Sequence, residues 1–109
     1  GVQEVAERTI DCLRNAVPAA VPGVVFLSGG QKDELASAHL NAMNLLDPQP
    51  WELSFSYARA LQGPALRTWL GQDSLVEAAQ QALYHRARCN HAARIGKYSP
   101  DVEQPPPVT

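Results

Sequence analysis

Residues that carry cross-links or redox chemistry are scarce: the 109 residues hold two cysteines, Cys12 and Cys89, and one methionine, Met43. Two isolated cysteines in separate helical stretches make no disulfide framework, so reduced, partly buried thiols are expected. No apolar run approaches the roughly 20 residues that span a bilayer as a helix. No basic start leads into an apolar block either, so a cytoplasmic location is expected. Charge of one sign is also lacking, with nine basic against eleven acidic residues and a net charge of −2. That balance offers no field for nucleic acid or an anionic membrane. The local group Arg86, Arg88, His91, Arg94 and Lys97 is expected to complement the negative end of its own helix. An N-terminal methionine is missing, and helical periodicity starts at once at Val2. The chain therefore reads as a piece of a larger protein.

What is present alternates. Val2, Val5, Thr9, Leu13 and Val17, with Ala6 and Ile10 beside them, predict an amphipathic helix that ends before Pro18. Gly23 to Leu27 is short, apolar and β-branched on both faces, which predicts a fully buried parallel strand. Leu35, Ala36, His39, Leu40, Met43 and Leu46 then share a helix face, stopped by Pro48 and Pro50. Trp51 opens a second strand with its alternating core at Leu53 to Tyr57. A helical piece from Ala60 to Trp69 is expected to be interrupted at Gly63-Pro64. Past Gly71 a longer helix shows a face of Leu75, Val76, Ala79, Leu83, Arg86 and Ala87, with Asp73 as its N-cap. Residues 1–96 make one α/β segment, and 97–109 an extended, mobile proline-rich tail. Helix, strand, helix, strand, helix is the order of parallel βαβ architecture. Two strands cannot form a sheet alone, so more chain or partner subunits are expected to supply the rest.

Each strand ends in groups suited to an oxyanion. Ser28-Gly29-Gly30 follows the first strand and precedes a helix starting near Gln31, whose N-terminal N–H groups and dipole would face an anion. Glycine there allows close approach to the backbone. Ala58-Arg59 follows the second strand, giving an amide and a two-pronged guanidinium. If the strands are parallel neighbours, these donors converge on one phosphate. Taken alone, Ser-Gly-Gly is more often a tight turn and Arg59 a solvated cation.

Pro22-Gly23-Val24-Val25-Phe26-Leu27-Ser28-Gly29-Gly30-Gln31 and Trp51-Glu52-Leu53-Ser54-Phe55-Ser56-Tyr57-Ala58-Arg59-Ala60-Leu61-Gln62 resemble the class I fructose-bisphosphate aldolases. Thr9 to Pro22, Ala36 to Asn44, and Ala87 to Pro100 with its Gly96-Lys97-Tyr98-Ser99-Pro100 ending extend the likeness over nearly the whole chain, with a bacterial flavour. The resemblance implies the C-terminal part of an eight-stranded (βα)8 TIM barrel: helix, strand seven, helix, strand eight and terminal helices. It implies that Ser28, Gly29 and Arg59 hold the C1 phosphate of fructose 1,6-bisphosphate or dihydroxyacetone phosphate, with Ala58, Leu27, Gly30 and Ser56 lining the site. Ala58 stands where the family usually has glycine, and would strain the donor if φ is positive there. The functional C-terminal tyrosine of eukaryotic members has no counterpart.

The family forms an imine between a strand-six lysine and the substrate ketone, with no metal or other cofactor. That lysine would lie outside these residues. Lys32 and Lys97, the only lysines, are expected to be solvated, and the segment alone to be inactive. Partners implied are the sugar phosphate, the rest of the barrel and further copies, a tetramer by resemblance. The rival reading is a noncatalytic phosphate-binding or assembly module derived from an aldolase. Two smaller candidates weigh less. His85 and Cys89, four apart on a helix, could share a metal but lack further ligands. Asp33-Glu34 sits in a first helical turn, where carboxylates favour the dipole.

Overall fold

The computed structural model describes residues 1–27, 30–56 and 59–104. In chain order they form α1 (Val2–Ala16), β1 (Gly23–Phe26), α2 (Asp33–Leu45), β2 (Glu52–Phe55), α3 (Arg59–Trp69), a 3₁₀ turn (Asp73–Leu75), α4 (Val76–Arg94) and a second 3₁₀ turn (Pro100–Glu103). The strands are parallel neighbours, with Val24 opposite Leu53, Val25 opposite Ser54 and Phe26 opposite Phe55. An α-rich arrangement around a small parallel sheet fits part of a βα barrel. No described helix is long and apolar enough to cross a membrane.

The core gathers on one face of the sheet. Ala6 and Ile10 of α1, Leu40, Ala42 and Met43 of α2, Ala93 of α4, Trp51 and Leu53 are buried together, with Val24, Phe26 and Phe55 packed against them. Trp51 also donates from Nε1 to the carbonyl of Pro18 at 2.9 Å, tying the entry of β2 to the connector after α1. The opposite face is bare: Val25 is 60% exposed and Leu27 69%. β1 is thus buried on one side only, not on both as its composition predicts. Alternation puts Val25 on the face turned away from the helical core, and nothing among the described residues covers it.

Three other local expectations change. Pro64 does not interrupt the helical piece, because α3 runs unbroken from Arg59 to Trp69 with Pro64 inside it. Pro64 has no N–H for the carbonyl of Ala60 four residues back. That oxygen accepts instead from Arg86 Nε at 2.9 Å and Asn90 Nδ2 at 3.2 Å. Asp73 is not the N-cap of α4: it opens the 3₁₀ turn, and Leu75 at the cap makes no side-chain cap bond. The inward face of α4 is Arg86, Cys89 and Ala93, whereas Val76, Leu83 and Ala87 are exposed. Cys12 is exposed and only Cys89 is buried.

Residues 97–104, read from the sequence as the start of an extended tail, turn back over α4. Gly96, at φ 72°, ends that helix, and Lys97 N–H closes the turn on the carbonyl of Ala92 at 2.8 Å. Arg88 Nη2 then donates to the carbonyls of Val102 and Gln104, each at 3.1 Å. Arg94 pairs with Glu52 of β2. Three of the five grouped basic residues are therefore bound to other segments and do not simply complement their helix end.

Candidate functional site

The carboxyl ends of β1 and β2 lie side by side. Ser56 N–H donates to the carbonyl of Phe26 at 3.1 Å, extending the parallel ladder one step and setting Ser56 beside Leu27. Beyond the strands, Gly30 takes φ 83°, and a Cβ built on it would sit 3.7 Å from Arg59 Nη1. The turn after the first strand and the guanidinium after the second are in contact range. Of the expected site residues, Leu27 and Ser56 follow the neighbouring strand ends and Gly30 lies near Arg59; Ser28, Gly29 and Ala58 lie outside the described residues.

A hollow of about 380 Å³ adjoins this point, lined by Gln31, Lys32, Asp33, Glu34, Arg59 and Arg67. Its cations, Lys32, Arg59 and Arg67, outnumber its carboxylates, Asp33 and Glu34, by one. Asp33, which is buried, pairs with Arg67 Nη2 at 2.8 Å, so α2 is tied to α3 across the hollow. Asp33 does sit in the first turn of α2 but makes no cap bond; its carboxylate is spent on Arg67. Among the described residues, no carboxylate pairs with Lys32 or Arg59. Both are exposed at helix starts, and the exposed Glu34 lines the same hollow, so an anion entering there would meet two cations and one carboxylate. Lys97 is exposed too, as expected.

Behind the hollow, the sequence reading missed a buried polar centre. Arg86, only 2% exposed, donates from Nη1 to both carboxylate oxygens of Glu103 at 2.8 and 2.7 Å, and from Nη2 to the carbonyl of Asp33 at 3.1 Å. Nη2 also reaches Ser37 Oγ, and Ser37 in turn donates to Asn90 Oδ1 at 2.8 Å. Tyr98 Oη and His85 Nε2 complete the ring around Glu103 at 2.6 and 3.2 Å. Burial pulls the Glu103 carboxyl upward, but the bonds from Tyr98 and Arg86 and the guanidinium charge outweigh it and hold it below its ordinary value. Burial raises the Tyr98 phenol, and its bond to Glu103 adds to the rise. An arginine among alanines and leucines on the inner face of a helix was the available signal, together with a proline four residues past Ala60.

Glu103 also supplies the third group that the His85 and Cys89 pair lacked: the three ligand atoms lie within 4.8 Å of one another. The chemistry opposes a metal. Burial, aided by the Glu103 charge, pushes the Cys89 thiol up to about 11, and the Arg86 cation already occupies the carboxylate.

The family model for class-I fructose-bisphosphate aldolase matches residues 1–106. The probable class 1 fructose-bisphosphate aldolase of Xylella fastidiosa is 56% identical over 99 residues, covering 89% of this chain and 29% of the relative. A chloroplastic aldolase of Arabidopsis thaliana is 52% identical, over 93% of the chain and 26% of the relative. The aldolase of Plasmodium falciparum, solved with TRAP and a small molecule inhibitor, superposes with a TM-score of 0.86 at 50% identity, over 91% of this chain and 28% of that one. The chain spans less than a third of the length of these relatives.

Proposed function

The chain belongs to the class I fructose-bisphosphate aldolase family, and we propose that it supplies the C1-phosphate-binding part of such an enzyme. The reaction proposed is reversible cleavage of fructose 1,6-bisphosphate to dihydroxyacetone phosphate and glyceraldehyde 3-phosphate. In this reading β1 and β2 are strands seven and eight of a TIM barrel, whose last two loops commonly bind phosphate. The bare sheet face with Val25 and Leu27 supports it, since remaining strands would cover that face. Contacts with other copies, as a tetramer, belong to the same proposal.

One observation carries the phosphate assignment: Gly30 and Arg59 meet at the ends of two parallel strands, beside a guanidinium with no partnering carboxylate among the described residues. Gly29, Ser28 and Ala58 are proposed to add backbone and hydroxyl donors to the same anion. The chemical step needs an amine in an apolar pocket at a strand end, whereas Lys32 and Lys97 are both exposed. The imine-forming lysine is therefore assigned to a strand beyond these residues, and the segment alone to substrate holding.

Two measurements test this. The protein at the full length its gene encodes should cleave fructose 1,6-bisphosphate, and Arg59→Ala should raise the inhibition constant of inorganic phosphate at least about tenfold. Borohydride reduction with substrate should trap no adduct on Lys32 or Lys97; an adduct on either would sink the division of labour.

A further inference from the structure

We propose that Arg86 is a positioning residue for phosphate binding, holding the two phosphate loops in register from behind. The proposal rests on the phosphate reading above. Asp33 lies three residues past Gly30, and Ala60 is the residue after Arg59. One buried guanidinium grips both carbonyls: Nε holds Ala60 and Nη2 holds Asp33. Its third edge is clamped by the two oxygens of Glu103. A guanidinium is planar and rigid, so the spacing of its nitrogens sets the spacing of the helix starts they hold.

The rest of the network makes that spacing stiff. Arg86 bonds Ser37, Ser37 bonds Asn90, Asn90 bonds the carbonyl of Ala60, and Ala60 returns to Arg86. Pro64 is part of the device, because it withholds the helical N–H from Ala60 and leaves that carbonyl to α4. Glu103, held by Tyr98 and His85, keeps the guanidinium from turning. Lysine retains the charge but replaces three spaced nitrogens by one. It cannot hold Ala60, Asp33 and Glu103 at their present separations.

The test compares kinetic constants, because a purely structural residue lowers the folded fraction and hence the maximal rate without moving constants of the surviving protein. In the full-length protein, Arg86→Lys should raise both the KM for fructose 1,6-bisphosphate and the inhibition constant of inorganic phosphate about tenfold. Ser37→Ala, which removes one link of the ring at little risk to folding, should raise them two- to threefold. Constants unchanged in Ser37→Ala and in any folded Arg86→Lys overturn the positioning role. If Arg86→Lys does not fold, Ser37→Ala alone decides in the same way. Failure of the phosphate reading looks different: Arg59→Ala would then leave the phosphate constant where it was.

Discussion

Arg59 and Arg86 carry the same guanidinium on neighbouring helices, α3 and α4, and the chain uses them in opposite ways. Arg86 is buried, and its three nitrogens reach a carboxylate, two carbonyls and a hydroxyl. Arg59 is exposed at the strand ends and has no paired carboxylate among the described residues. A buried cation must have its counter-charge and hydrogen bonds supplied by the protein, because desolvation is otherwise prohibitive. An exposed one can wait for a ligand. Saturation therefore marks Arg86 as framework, and openness suits Arg59 to the binding role proposed for it.

The comparison breaks most easily at Arg86. Arg86→Met should lower unfolding stability by about 2–4 kcal/mol, because the half-buried Glu103 loses its main cation and two backbone carbonyls lose a donor. Urea midpoints check this, and a change under about 1 kcal/mol would show that the network is dispensable. Arg59→Ala should leave the same midpoint within about 0.5 kcal/mol. Its effect is on ligand: binding of inorganic phosphate should weaken by about 1.5–3 kcal/mol, the usual worth of hydrogen bonds to a charged group. Loss of stability from Arg59→Ala with phosphate affinity intact would reverse the two roles.

The exposed arginine was legible in the sequence, and the buried one was not. Arg59 follows an alternating strand, and Gly30 ends a small-residue turn after another, so local pattern alone places both at strand ends. Parallel pairing of those strands followed from the long helical crossover between them. Arg86 acts through Asp33, Ser37, Ala60, Asn90 and Glu103, which lie 53, 49, 26, 4 and 17 positions away in the chain. Periodicity reports only which face a residue is on, and it put Arg86 on the apolar face of α4 without saying what it meets there. Pro64 misled for the same reason: the interruption expected from its missing N–H is compensated by a side chain from another helix. The strand assignments held because a short β-branched run in β1 and period-two alternation in β2 are both short-range signals. The burial of β1 failed on one face, since composition describes the surroundings a strand suits and Val25 has no cover among these residues.

Gly30 sharpens the contrast at a smaller scale. At φ 83° it occupies the left-handed region, while the nearest atom to an added Cβ, Arg59 Nη1, is 3.7 Å away and in ordinary contact. Gly30→Ala should thus lower stability by about 1 kcal/mol from backbone strain alone. Thermal melts with and without inorganic phosphate would check it. A loss several times larger would mean that the turn is packed rather than open to a ligand.

Acid should separate the framework from the binding group, with the smallest effect. Burial, and then the N-terminal charge, lower the pKa of His39 from 6.5, and the ring donates from Nδ1 to Gln31 Oε1 at 3.0 Å. The folded state favours its neutral form, so its contribution is present above 6.5 and is lost as pH falls through the lower folded value. Glu103 is also depressed, from 4.5, so its contribution is present above 4.5 and disappears further into acid. Stability should therefore fall in two stages, His39 first and the Arg86 clamp second. His39→Gln should abolish the first stage and leave the second, and Glu103→Gln the reverse. Arg59 bonds neither group among the described residues, so Arg59→Ala should leave both stages unchanged in urea titrations across that range. A stage that moves with Arg59 would mean that the exposed arginine is coupled to the buried network after all.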